Sequence, residues 1–86
     1  MRAAEIKDRF SKLRGIGATK ITRSDGMIVH KWPLLAWDDI EDRIDDIAQQ
    51  MGFDKLKKDT WRTAGYRLEI IRYNNLSPEA VLKEEE

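Results

Sequence analysis

Charge in this chain of 86 residues is sorted into four blocks along the sequence, although the formal net charge is zero. The net charge is +5 over residues 1–35, −5 over residues 36–51, +3 over residues 52–75 and −3 over residues 76–86. Because like charges within a block repel each other, each block must lie against a block of opposite sign, a second subunit or another partner. The pattern does not show which of these three relieves the repulsion, but it narrows the functions to be considered.

Length and composition predict one small intracellular domain. A chain of this size builds a single modest core and has no room for an enclosed substrate pocket, so we predict one domain over residues 1–86 with a frayed acidic tail at residues 83–86. The absence of cysteine excludes disulfides and thiolate metal sites and fits a reducing compartment. The longest apolar run, residues 32–37, is too short to cross a membrane, and the N-terminus lacks the apolar stretch of a secretory signal. We expect a cytoplasmic protein.

Apolar spacing predicts three elements in the N-terminal half. Residues 2–14 place their apolar side chains on one helical face. Residues 17–32 predict a β-hairpin, because the turn Ser24–Gly26 contains the Asp-Gly pair that favours tight turns; the register of its strands stays open. Residues 34–51 have the clearest helical stripe, which runs from Trp37 to Met51.

The C-terminal half is less clearly patterned. Residues 54–74 fit a helix better than a strand, although the alternation of residues 66–70 would also suit a third antiparallel strand over residues 62–73. Ser77–Glu79 is typical of a helix start, with an N-cap serine followed by proline and an acid. The predicted fold class is therefore α+β: an N-terminal helix, a β-hairpin, a long amphipathic helix and a mostly helical C-terminal half.

Basic residues close to aromatic side chains predict a small DNA- or RNA-binding regulator, because lysine and arginine contact phosphates and aromatic rings stack on bases. Residues 44–62 also partly fit a helix-turn-helix, with a glycine at the turn and lysines where a recognition helix would begin. A different interpretation is that these cations pair with the acidic blocks. The predicted nucleic-acid-binding residues are Arg9, Lys12, Arg14, Lys20, Arg23, Lys31, Lys55, Lys57, Lys58 and Arg62.

The acidic flank of the third element predicts a different function, a protein–protein interaction module such as an adaptor, an inhibitor or a self-associating subunit. Carboxylates at helical spacing repel each other, and a basic partner or a second copy would relieve that repulsion. A solvated outer face is the alternative. Trp32, which precedes a proline at the end of the predicted hairpin, is the candidate exposed anchor. The predicted interface residues are Trp32, Asp38, Asp42, Asp45 and Asp46.

No pattern in the sequence predicts an enzyme. No serine is matched to a histidine base, no glycine-rich phosphate loop follows a strand, and His30 is the only histidine. Residues 38–42 match a short Asp-Asp-x-x-Asp pattern for magnesium, but that chemistry needs a large helical barrel around it. We therefore predict no catalytic residue, no metal and no cofactor, with nucleic acid, a protein partner or a homodimer as the alternatives for binding.

Overall fold

Five antiparallel strands form one sheet, and two helices cover one of its faces. This architecture is seen in a computed structural model, which describes residues 2–15 and 28–85. Helix α1 spans Ala3–Arg9 and is followed by a 3-10 turn at Ser11–Leu13, and helix α2 spans Ile40–Gln50. The strands β1 to β5 span, in order, Ile28–Pro33, Asp54–Lys57, Thr60–Thr63, Tyr66–Ile71 and Glu79–Glu84. Their order in the sheet is β1-β5-β4-β3-β2, so β1 and β2 are the edge strands of the described sheet.

Alternation of apolar and charged residues explains the central strands. Leu68 and Ile70 of β4 lie opposite Leu82 and Ala80 of β5, and all four are buried beneath the helices. The intervening residues, Glu69 and Val81, point to the other face, as the two-residue period of a strand requires. That second face carries mostly charged side chains, although Val81 is buried on it.

The prediction of a mostly helical C-terminal half is wrong, because residues 54–84 form four strands. Asp59 and Gly65 lie between successive strands with φ values of 60° and 85°, and this left-handed backbone turns the chain back on itself. After Gly52 the chain enters the β2–β3 hairpin, so the predicted helix-turn-helix over residues 44–62 does not form. The alternative prediction, a third antiparallel strand over residues 62–73, comes closest to the observed structure, since β4 lies within that range.

The helix predicted from Ser77–Glu79 is a strand as well. The carbonyl of Pro78 accepts a hydrogen bond from Leu34 N at 2.8 Å, and Glu79 begins β5. Lys83 and Glu84, which we expected in a frayed tail, are the last residues of that strand. Pairing with β1 on one side and β4 on the other outweighs the local helix-start signal.

The N-terminal elements are shorter than the spacing predicted. Helix α1 ends at Arg9 rather than residue 14, and α2 begins at Ile40 rather than residue 34. Of the predicted hairpin, β1 is a strand, and it pairs with β5. The turn and register of that hairpin fall in residues 16–27, outside the described residues.

The core lies between the sheet and the two helices. It includes two fully buried indoles, Trp32 of β1 and Trp61 of β3. Isoleucines and a phenylalanine supply the helical side: Ile6, Phe10, Ile40 and Ile44. In residues 2–15 and 28–85, neither helix is long and apolar enough to cross a membrane.

The outer face of the sheet, which is turned away from the helices, carries ion pairs between basic and acidic side chains. Glu69 lies 3.0 Å from Arg67 Nε and 3.3 Å from Lys83 Nζ, and Glu85 lies 3.0 Å from Arg62 Nε and 3.3 Å from Arg67 Nη1. Each such partly exposed pair contributes at most about 1 kcal/mol to stability. Positive and negative side chains from the third and fourth charge blocks therefore neutralise each other across β3, β4 and β5.

Candidate protein-interaction surface

The carboxylates of α2 divide into an inner and an outer row. In the inner row, Glu41 Oε2 accepts a hydrogen bond from Asp59 N at 2.7 Å, and its second oxygen lies 3.5 Å from Lys55 Nζ. Asp45 Oδ1 accepts a hydrogen bond from the indole Nε1 of Trp61 at 2.8 Å. These carboxylates fasten α2 to β2 and β3. Asp45, which we predicted at an interface, is half-buried, and its second oxygen accepts a hydrogen bond from Gln49 Nε2 at 2.8 Å.

The outer row consists of Asp38, Asp42 and Asp46, which we call the acidic row. Asp38 lies in the turn before α2, and the three side chains follow at intervals of four residues and are all exposed. Within the described residues none of them forms an ion pair or a side-chain hydrogen bond. Spacing of four residues places neighbouring carboxylates close together, and each such like-charge pair costs about 0.2–0.5 kcal/mol. The acidic row therefore retains the unrelieved charge that the sequence predicted for this helix.

An open pocket of about 290 Å³, lined by both polar and apolar side chains, lies at the N-terminal end of the acidic row. Leu76 and Tyr73, from the loop between β4 and β5, are 73% and 39% exposed beside it. The Arg43 guanidinium lies 4.3 Å from the ring centroid of the half-buried Trp37, a cation–π contact. The pocket is lined by Ala36, Trp37, Asp38, Arg72, Tyr73, Leu76 and Pro78.

Hydrogen bonds hold the rim of this pocket in place. Arg72 donates from Nε and Nη2 to the two carboxylate oxygens of Asp59 at 2.8 and 2.9 Å. Burial alone would raise the pKa of Asp59, but the hydrogen bonds and charge of Arg72 outweigh it and hold that pKa below its usual value. The hydroxyl of Tyr73 donates to Glu79, and this bond raises the pKa of Tyr73. Contacts within the chain therefore fix the positions of Arg72 and Tyr73 at the rim.

Two lysines, Lys57 and Lys58, lie at the turn between β2 and β3, and we call them the basic turn. Both are exposed, and no ion pair within the described part of the chain engages either one. The basic turn precedes Asp59, which is bound to Arg72 on the pocket rim. The basic turn therefore lies near the pocket rim, through Asp59 and Arg72, and near α2, through the hydrogen bond from Asp59 N to Glu41.

The remaining predicted nucleic-acid-binding residues are not brought together into one surface. Lys31 lies 3.6 Å from Glu79, and Lys55 and Arg62 are paired with acids as described above. Arg9 and Lys12 are exposed and belong to the segment that packs on β1, where Arg9 shares a small pocket with Gln50 and Met51 at the end of α2. Arg14 is half-buried, and Lys20 and Arg23 lie outside the described residues.

Trp32, the predicted exposed anchor, is completely buried in the core. Strand β1 alternates, so the face that carries Trp32 is turned toward the helices. The exposed apolar side chains at the candidate surface are instead Leu76 and Tyr73. The sequence offered only a weak signal for them, a single leucine between polar residues ahead of Ser77, and the helix prediction obscured it.

No cluster of three or more metal-ligating side chains occurs in residues 2–15 and 28–85. Comparisons of the chain with protein-family models, with curated proteins and with solved structures found no match.

Proposed function

We propose that this protein is a non-enzymatic protein–protein interaction module that docks through the exposed Leu76, the pocket beside it and the acidic row. The observation that carries this proposal is the position of Leu76, which is 73% exposed beside a pocket and next to three unpaired carboxylates. An exposed apolar patch with a charged border is the usual composition of an interface, in which apolar anchors supply affinity and charges supply orientation.

The chemistry of the surface defines the partner it suits. A matching protein would present an apolar side chain for the pocket and two or three lysines or arginines for the acidic row. The apolar contact would contribute most of the affinity, while the attraction between opposite charges would accelerate association. Added salt would weaken that attraction. Ordering of the rim by Arg72 and Tyr73 lowers the entropic cost of docking.

Nucleic-acid binding remains a prediction and has less support. Lys31, Lys55 and Arg62 are each paired with a glutamate, so a phosphate would have to displace a carboxylate at these sites. The unpaired lysines of the basic turn are close to the carboxylates of α2, which would repel the nucleic-acid backbone. A titration of the purified chain with mixed DNA and RNA at low salt tests this prediction, because binding driven by phosphates must strengthen as salt is removed.

Site-specific photo-crosslinking in host cells tests the proposed docking surface. A photoreactive side chain is placed at position 76, and in a matched chain at position 84, which is exposed at the far end of β5. We expect protein adducts from position 76 that disappear when Asp38→Lys and Asp42→Lys are added. Glu84→Lys, which changes the same kind of charge elsewhere, should leave them in place. Adducts that survive reversal of the acidic row, or that form equally from position 84, would contradict the proposal.

A further inference from the structure

Asp59 is hydrogen-bonded to α2, to β4 and to the rim of the pocket. Its backbone N–H donates to Glu41 Oε2 of α2 at 2.7 Å, and its backbone carbonyl accepts a hydrogen bond from Ile70 N of β4 at 2.9 Å. Its carboxylate accepts hydrogen bonds from Nε and Nη2 of Arg72 at 2.8 and 2.9 Å. Asp59 therefore connects the helix that carries the acidic row with the residue that follows β4 at the pocket.

The backbone conformation of Asp59 separates the role of its main chain from the role of its side chain. Its φ of 60° lies in the left-handed region, which glycine adopts at less cost than other residues. The main-chain hydrogen bonds to Glu41 and Ile70 need no side chain at this position. What aspartate adds over glycine is the carboxylate, and that carboxylate binds Arg72.

We infer that Asp59 is a positioning residue of the docking surface, which holds Arg72 in one orientation at the pocket before a partner binds; this inference rests on the proposed function. The side chain of Arg72 is 44% exposed and lines the pocket, whereas that of Asp59 is only 17% exposed. Asp59 therefore acts on a partner through Arg72 rather than by contact.

Arg72 keeps hydrogen-bonding capacity for a partner when it is held in this way. A guanidinium has more N–H donors than the two that Asp59 engages. Within the described residues, Arg72 forms no hydrogen bond or ion pair with any residue except Asp59. The remaining donors are therefore available to oxygen atoms of a docked protein, and the direction in which they point is set by the bond to Asp59.

The size of the expected effect follows from the freedom that Asp59 removes. A long side chain that becomes ordered only when a partner binds weakens binding by about two- to tenfold. Tyr73 is held separately, because its hydroxyl donates to Glu79, so this part of the rim stays in place. Loss of the Asp59 carboxylate should therefore weaken docking within that range and not abolish it.

Nuclear magnetic resonance of the free protein tests the positioning of Arg72 without a partner. The order parameter of the Arg72 Nε–H bond should lie above about 0.6 in wild type and below that level in Asp59→Gly. Asp59→Asn retains an uncharged acceptor and should give an intermediate value. Arg43, whose Nε donates to Asp39 at 2.8 Å, is the internal control, and its order parameter should not change.

Thermal unfolding shows whether Asp59→Gly acts on Arg72 or on the fold as a whole. Loss of the partly exposed ion pair lowers stability, whereas relief of the left-handed backbone raises it. The melting temperature should therefore stay within about 4 °C of wild type.

Photo-crosslinking from position 76 in host cells then measures the effect on docking. At low expression, where the yield of adducts follows affinity, Asp59→Gly should lower the yield of protein adducts by about two- to tenfold. Asp54→Gly is the matched control, because Asp54 is exposed on β2 and forms no ion pair within the described residues. Its adduct yield should equal that of wild type.

The outcomes separate this inference from the proposed function. An Arg72 order parameter that is the same in wild type, Asp59→Gly and Asp59→Asn overturns the inference. A mobile Arg72 with undiminished adducts from position 76 also overturns it, but leaves the proposed function standing. If the wild-type chain gives no protein adducts from position 76, the proposed function is refuted, and this inference is refuted with it.

Discussion

Removal of the Asp45 side chain distinguishes carboxylates that hold the fold together from carboxylates that are free to bind a partner. Trp61 is fully buried, and its indole N–H donates to Asp45 at 2.8 Å. Asp45→Ala leaves that N–H without its charged acceptor, and a hydrogen bond to a charged group is worth about 1.5–3 kcal/mol. We expect a loss of about 2 kcal/mol in the free energy of unfolding, which lowers the melting temperature of a domain this small by about 8–16 °C.

Two further variants, Asp42→Ala and Asp45→Asn, serve as controls for this prediction. Asp42→Ala changes the same residue type one turn away, but its side chain is exposed and unpaired, so the free energy of unfolding should change by less than about 0.5 kcal/mol. Its loss also relieves repulsion from Asp38 and Asp46, which makes a slight stabilisation the expected direction. Asp45→Asn keeps a carbonyl acceptor and should fall between the two.

Urea unfolding, followed in parallel by tryptophan fluorescence and far-ultraviolet circular dichroism, measures these differences. Both probes are needed because the substitution changes the surroundings of a tryptophan, and coincident transitions show two-state unfolding. Equal free energies of unfolding for Asp45→Ala and Asp42→Ala, within about 0.5 kcal/mol, would refute the division into an inner and an outer row.

Two further predictions concern pH. Burial lowers the pKa of His30, which is 7% exposed, and the charge of Lys7 lowers it further, although Asp8 opposes this. Because the unfolded chain then takes up the proton first, the free energy of unfolding should fall as pH drops below about 6.5, and His30→Leu should remove that slope between about pH 5 and 7. Arg72→Gln breaks the pair with Asp59 and should cost about 1 kcal/mol at neutral pH, since Arg72 is partly exposed. The pKa of Asp59 is lowered in the fold, so the advantage of wild type should disappear as pH falls below about 4; an equal difference at pH 7 and pH 3 would contradict this origin.

Charge segregation along the chain survives in only part of the folded surface. On the outer face of the sheet, Arg67 and Lys83 alternate with Glu69 and Glu85, so two blocks of opposite net charge cancel. In the described part of the chain, by contrast, neither the acidic row nor the basic turn forms an ion pair. The blocks predicted that charge would have to be relieved, but only the strand register shows which side chains relieve it.

The apolar spacing in the C-terminal half fits both a helix and a pair of strands. Trp61, Leu68 and Ile71 share a helical face in the sequence, and the same residues also occur in adjacent strands. Gly65 has a φ of 85°, which ends β3 and begins β4 at a point where a helix would need a negative value. A helix and a strand can share the same apolar positions over a short segment, so periodicity alone could not decide between them.

The sequence by itself determined that the chain builds one modest core, and that α2 is amphipathic with an acidic side and ends before Gly52. Only the tertiary structure decided that residues 54–84 are strands, that Trp32 is buried rather than exposed, and that Asp45 faces inward while Asp42 faces out. The physical reason is that strand pairing and burial depend on partners far apart in sequence, such as Leu34 with Pro78 or Asp45 with Trp61. Spacing within one segment carries no information about those partners.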